Sequence, residues 1–225
     1  MKLRPIISVT FLAIFMACVV PTTLGQAFEF DISSGGQPTI TGGLSGSVTG
    51  SASVLNNLAV TINFGEISPA NANSLVKVVV PVVIRSTQPY QLAVTFSGLS
   101  NANPQALQAS DIGFGINNMR AMGSKSEVCP NSSHIFYPPF NNDPAITKTI
   151  DANGRATYQS TLSNVSFSTI ILSGPRLTRN SNGNRNPDDG YIFDAIFAIT
   201  PQFFAAGTSS ATLTFTISAG PNVPC

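Results

Sequence analysis

Tryptophan is absent from this chain and histidine occurs once, at His134. A single imidazole supports no local Ser-His-Asp order for acyl transfer. The lack of tryptophan, with only four tyrosines and with most of the 15 phenylalanines in alternating runs that read as core, leaves few of the exposed rings on which sugar-binding platforms are generally built. Charge is scarce as well: 9% of the residues are charged, 11 basic against 10 acidic, so there is no electrostatic footprint for nucleic acid or anionic lipid. A surface so poor in charge must be made mainly of Ser, Thr, Asn and Gln, which suits an extracellular wall or fibre better than a cytosolic enzyme. Helical periodicity is nearly missing after the first 25 residues, because Gly, Pro, Asn and Ser break almost every stretch.

What is present begins with an export signal. Lys2 and Arg4 form a positive start, and Ile6 to Val20 is an apolar run interrupted only by Ser8 and Thr10. That run falls short of the roughly twenty apolar residues needed to cross a bilayer, and Pro21 follows at once. Cleavage after Gly25, with Thr23 at the −3 position, or after Ala27, with Gly25 there, satisfies the small-residue rule. Phe15 and Met16 fit a lipobox before Cys18 poorly. The reading is a signal peptide over residues 1–25 and one domain over 26–225, delivered to the periplasm or cell surface with no membrane span in the mature chain. Lys2 and Arg4 account for two of the 11 basic residues, leaving nine against 10 acidic ones.

Two cysteines survive cleavage, Cys129 and Cys225, and in an oxidising compartment such a pair reads as a disulfide. The bridge would close a loop of about 97 residues, worth about 4–5 kcal/mol on the chain-entropy model.

The mature chain is written in strands. Tyr90, Leu92, Val94 and Phe96 share one face of a run to Ser97, and Ala211, Leu213, Phe215 and Ile217 alternate with Thr212, Thr214, Thr216 and Ser218. Further alternating sets are Leu58 to Phe64, Val165 to Ile171 and Tyr191 to Ile199. Val76 to Arg85 is dense enough for burial on both faces; Pro81 within it marks a bulge, an edge or a break, and a two-part strand is expected there. Asn103-Pro104 opens a helical turn over Ala102 to Gln108. The Gly/Ser/Thr-rich stretch Ser33 to Ser53 is a weakly packed hairpin or a flexible lead-in, and Gly123 to Asn142 and Thr178 to Gly190 read as surface loops. The fold class is all-β: an antiparallel two-sheet sandwich with Greek-key connections, immunoglobulin-like or jelly-roll.

Chemistry-bearing residues are few. His134 reads as an ordinary loop residue. Glu29, Glu66 and Glu127 lie far apart in sequence, and Asp188-Asp189 sit in a turn, so no carboxylate pair is evident for glycoside hydrolysis. Asn182, Asn184, Asn186, Asp188 and Asp189 place oxygens along one loop in a manner loosely like a calcium cradle, but two charges are few for that ion and Asx-turns account for them. One histidine and a bridged cysteine pair cannot fill a zinc site. The expectation is therefore no enzyme, no cofactor and no metal. The sequons at Asn131 and Asn164 matter only in a eukaryotic host. Phe28, Phe30 and Ile32 alternate with Glu29 and Asp31 immediately after the leader, a short amphipathic strand that either pairs within its own sheet or adds to a neighbouring subunit.

Three patterns carry a family resemblance: Phe64-Gly65-Glu66-Ile67-Ser68-Pro69 at the end of an early strand, Pro89-Tyr90-Gln91-Leu92 after Ser86, and Gly207 followed by Ala211 to Ser218. Over about a third of the mature chain the sequence resembles bacterial spore coat U and chaperone–usher pilin-like proteins. The resemblance implies a secreted immunoglobulin-like fold that polymerises by donor-strand exchange into surface fibres used for attachment. The chain departs from that group at Arg85-Ser86, where such subunits often carry a cysteine, and in its ending Pro221-Asn222-Val223-Pro224-Cys225. The expected function is an exported structural or adhesive surface protein, a pilus or fibre subunit partnered by copies of itself or by other surface subunits. The competing expectation is a secreted ligand- or carbohydrate-binding module presenting Tyr137, Phe140 and Asp188-Asp189 from its two long loops.

Overall fold

A computed structural model describes residues 30–42, 46–50, 56–67, 75–100, 107–122, 133–176, 190–200 and 207–224. The expected leader, Phe28, Glu29, Cys129, Cys225, Glu127 and the oxygen-rich loop over residues 178–189 lie outside these residues.

The described strands are β1 (Phe30–Ser34), β2 (Thr39–Thr41), β3 (Ser47–Gly50), β4 (Asn57–Ile67), β5 (Val76–Ser86), β6 (Tyr90–Ser100), β7 (Gly113–Met122), β8 (Ile135–Phe136), β9 (Thr149–Ile150), β10 (Ala156–Thr157), β11 (Thr169–Gly174), β12 (Gly190–Ile199) and β13 (Gly207–Ala219). A four-residue helix, α1 (Pro144–Thr147), follows β8. The first sheet runs β1-β5-β12-β7, with β2 also on β5, and the second runs β3-β4-β13-β6-β11-β8. All pairings are antiparallel.

The chain passes from one sheet to the other at nearly every step, from β4 to β5, β6 and β7 and again from β11 to β12 and β13. β4, β13, β6 and β11 thus face β5, β12, β7 and a loop edge at Ser160–Thr161, which bonds to β7 through Phe114 N to Ser160 O at 3.0 Å and a bridge from Gly113 to Thr161. This is the jelly-roll order, not the ABED/CFG order of immunoglobulin domains.

The period-two reading places the core correctly. Leu58, Val60, Ile62 and Phe64 are buried on β4, as are Ala211, Leu213, Phe215 and Ile217 on β13 and Tyr191, Phe193, Ala195, Phe197 and Ile199 on β12. Phe193 and Phe215 meet edge to face across the two sheets, with centroids 6.4 Å apart.

Elsewhere the structure corrects the sequence reading. Val165 to Ile171 is not a strand: Leu162–Val165 is a 3-10 turn, Phe167 stands 83% exposed, and β11 starts only at Thr169. The cause is local. Asn164 Oδ1 accepts from Thr161 N at 2.8 Å and from its hydroxyl at 3.1 Å, closing a turn where the apolar alternation alone would extend the chain.

Pro81 does not divide β5, which is continuous from Val76 to Ser86. β1 covers one end of the edge of β5 and β2 the other, and between them Pro81 O accepts from Gly35 N at 2.8 Å. Nitrogen and carbonyl of one strand residue point to the same side. The missing N–H of Pro81 therefore falls in the gap where β1 has ended and β2 has not begun, so no ladder bond is lost.

The stretch after Ser33 is no hairpin, because β2 joins the first sheet and β3 the second. A 3-10 turn is found at Ala109–Asp111, just past the expected helical turn, most of which lies outside the described residues.

β12 is buried on both faces, Ile196 and Ala198 included. Residues 137–161 form a strap across the outer side of the first sheet, with α1 packed on β12 and β7. Small residues let the strap approach. A Cβ on Gly115 would fall 2.2 Å from the carbonyl oxygen of Asn142, and one on Gly113 would strike Tyr158 and Pro144. Lys77 Nζ, donating to Asp143 Oδ2 at 2.5 Å, pins the strap to β5, while Asp143 Oδ1 caps α1 by accepting from Ala145 N at 2.9 Å.

Candidate functional site

β1 is the segment that sequence singled out for strand addition, and the structure pairs its described part with its own sheet. Phe30 to Ser34 lie opposite Ser86 to Val82. Ile32 is completely buried beside its partner Ile84, and Phe30 is partly buried against the core. On the outward face Arg85 Nη1 reaches Asp31 Oδ2 at 3.1 Å. The strand ends where Ser34 Oγ donates to the carbonyl of Gly36 at 3.0 Å and the chain detours through Gln37-Pro38. Under that detour lies a cleft of about 200 Å³ between the sheets, floored by Leu58, Val60 and Val80 with Val48 at its side. Among the described strands β1 pairs with β5 alone, so within the described residues its other side is the outer edge of the first sheet.

In the described part of the long loop after Gly123, Phe140 is buried and Tyr137 half-buried. Phe140 is 4% exposed and packs 5.9 Å from Phe114, and the Tyr137 hydroxyl lies 3.1 Å from Ser173 Oγ. His134 lies at a bend of that loop, as expected, but is buried and not at the surface, with its ring 4.3 Å from that of Tyr191 and 6.0 Å from that of Tyr90. A lone polar residue in a loop has no period to announce burial, so sequence missed it. Gly174 is the one available signal, since a side chain there would overlap both the Tyr90 and His134 rings.

Of the carboxylates weighed from sequence, only Glu66 lies among the described residues, exposed near the end of β4. Sequence did not single out the acids that the fold engages. Asp111, nearly buried, accepts from Arg155 Nη2 and from Gln108 N, both at 2.9 Å, and Asp194 accepts from Arg120 Nη1 at 2.9 Å and from Asn118 Nδ2 at 2.7 Å. These carboxylates hold turns and a bulge of β7 in place. Among the described residues no three His, Cys, Asp or Glu side chains are grouped to hold a metal ion. Asn164, of the second sequon, is exposed on the 3-10 turn.

Three tyrosines are shifted by their surroundings. Burial, with Tyr191 adding to it, pushes the Tyr90 phenol well above its usual value, and burial also raises Tyr191. Tyr158 is raised by burial, although its bonds with Thr200 pull the other way. A raised folded-state pKa means that above about pH 10 the unfolded chain has released a proton that the folded chain keeps, so stability falls as pH rises past that value. Alkaline titration followed by tyrosinate absorbance is expected to show Tyr90, Tyr158 and Tyr191 ionising late, together with loss of sheet circular dichroism. Early, reversible ionisation of all tyrosines with the sheet intact would contradict their burial.

Comparison of the chain with protein families, with curated proteins and with solved structures finds no match in any of the three.

Proposed function

We propose that this chain is an exported structural or adhesive component of the cell surface, a fibre subunit whose copies link by exchanging β1. The observation that carries the reading is the way β1 is held. It follows the leader-like segment directly, lies at the outer edge of its sheet, and is secured by a five-pair ladder, one fully buried side chain, Ile32, and one ion pair, Arg85 with Asp31. A neighbour's β1 in the same register on β5 restores every one of these contacts, so exchange is close to neutral in contact energy and is governed by concentration and by the Gly35–Pro38 detour as hinge. The proposal rests on this strand and not on the pilin-like resemblance, since that group is immunoglobulin-like and the order here is jelly-roll.

The test compares protein secreted by cells expressing the full chain with a form lacking residues 28–36, by size-exclusion chromatography and electron microscopy. Higher-order species are expected from the full chain and monomers from the deletion, with a synthetic peptide of residues 26–36 raising the melting temperature of the deleted form. Monomers of equal stability in both would sink the idea.

A further inference from the structure

The two sheets differ sharply in outward charge. Among the described residues the first sheet carries Asp31, Lys77, Arg85, Arg120 and Asp194, all in ion pairs. The strands of the second sheet carry one charged side chain, Glu66, near the end of β4.

Register shows how uniform that second face is. Thr49, Thr61 and Thr212 stand in one row across three strands, and Ala59, Thr214 and Thr95 form the next. In the following row Thr216 Oγ1 donates to Asn57 Oδ1 at 2.6 Å, and beyond it Gln91 Nε2 donates to Ser218 Oγ at 3.3 Å. The inner positions of the same strands fill the core, so this face is what the sheet presents outward.

We propose that the outer face of β3-β4-β13-β6-β11 is a self-association surface, on which a second copy lays the same face across a two-fold axis passing near Thr214. Three properties favour a second copy as the occupant. In a two-fold contact residue i meets residue j and j meets i, and only a residue near the axis, here Thr214, meets its own twin; an uncharged residue there and uncharged rows around it bring no like charges together. Hydroxyl and amide groups both donate and accept, so identical rows can bond to each other, while threonine methyls and the exposed Ile170 at the margin supply apolar contact. Five strands spaced about 4.8 Å apart and some nine residues of β13 rising about 3.4 Å each make a face of roughly 500 Å². Two such faces bury roughly 1,000 Å², at the threshold for a weak but specific interface. A glycan chain, the other occupant to consider, would ordinarily stack on rings, and the rows just described contain none.

This interface uses neither β1 nor its edge and stands or falls apart from strand exchange. Sedimentation velocity on the secreted full-chain protein, from micromolar to millimolar concentration, is expected to show a salt-insensitive monomer–dimer equilibrium superimposed on any β1-linked polymer and persisting in the form lacking residues 28–36. Thr214→Asp and Thr214→Lys should each weaken self-association at least about tenfold, and mixing the two variants should restore a heterodimer. Thr61→Lys, at an exposed position, provides the same test should either Thr214 variant fail to fold. The proposal is overturned if both the full-chain protein and the deletion lack this equilibrium, if the charged variants associate as the parent does, or if the parent stays monomeric and pellets with insoluble polysaccharide.

Discussion

Replacing Phe215 with alanine is expected to cost about 3–5 kcal/mol of unfolding free energy, the range for large aromatic deletions in close-packed cores. Phe215 has no exposed surface, sits on β13 between β4 and β6, and touches Phe193 of the opposite sheet, so its ring spans the space between the layers. Strands hydrogen-bonded on both sides cannot close toward a cavity, which places the site where relaxation is least able to recover the loss. Urea denaturation with circular dichroism measures the change, and heating should show a drop in midpoint on the order of 10 °C for a domain of this size. Phe167→Ala is the contrast. That ring is 83% exposed, and its removal should change stability by no more than about 0.5 kcal/mol. Similar costs for the two variants would refute the inward and outward assignments of both.

Gly115→Ala should be a strongly damaging one-carbon change, at about 3 kcal/mol, the upper end for overpacking. The new Cβ would lie 2.2 Å from Asn142 O and 3.1 Å from its carbonyl carbon. Both are backbone atoms with no rotamer by which to withdraw. To make room the strap must lift, which breaks the bond from Ile116 N to Phe140 O at 2.7 Å and disturbs Asn142, whose side-chain amide donates to Pro139 O. Hydrogen exchange distinguishes this from global weakening: the Ile116 amide should lose protection well before those of β13, and protease should cut within residues 137–161 first. Uniform loss of protection would show that the strap is not a separable layer.

How far the fold could be read from residues depended on whether the signal was periodic. Leu58 to Phe64, Tyr191 to Ile199 and Ala211 to Ile217 repeat every second position and all point inward as expected. Val165 to Ile171 has the same appearance and folds differently, because one Thr–Asn turn outweighs four alternating residues. Pro81 misled for the opposite reason. Its effect depends on which neighbour its nitrogen faces, and that neighbour is supplied by residues more than forty positions earlier. The same limit applies to the candidate surfaces. β1 was legible because its alternation is local. The outward threonines of β13 were legible too, but not the registers that set Thr61, Thr95 and Thr49 around them. His134 and the strap had no periodic signature, and only Gly113, Gly115 and Gly174 mark where other groups press close.

The placement of the two ends of the chain has a mechanical consequence. Among the described strands, β13, the last of them, is laced to β4 on one side and β6 on the other along most of its length, whereas β1 is laced to β5 alone over five residues. Tension applied at the carboxyl end must shear two ladders together, while tension at the amino end can unzip one short ladder pair by pair. The molecule thus has one strong handle and one weak one, and under load it should yield first at β1, paying out a short length of chain while the jelly roll behind it stays folded.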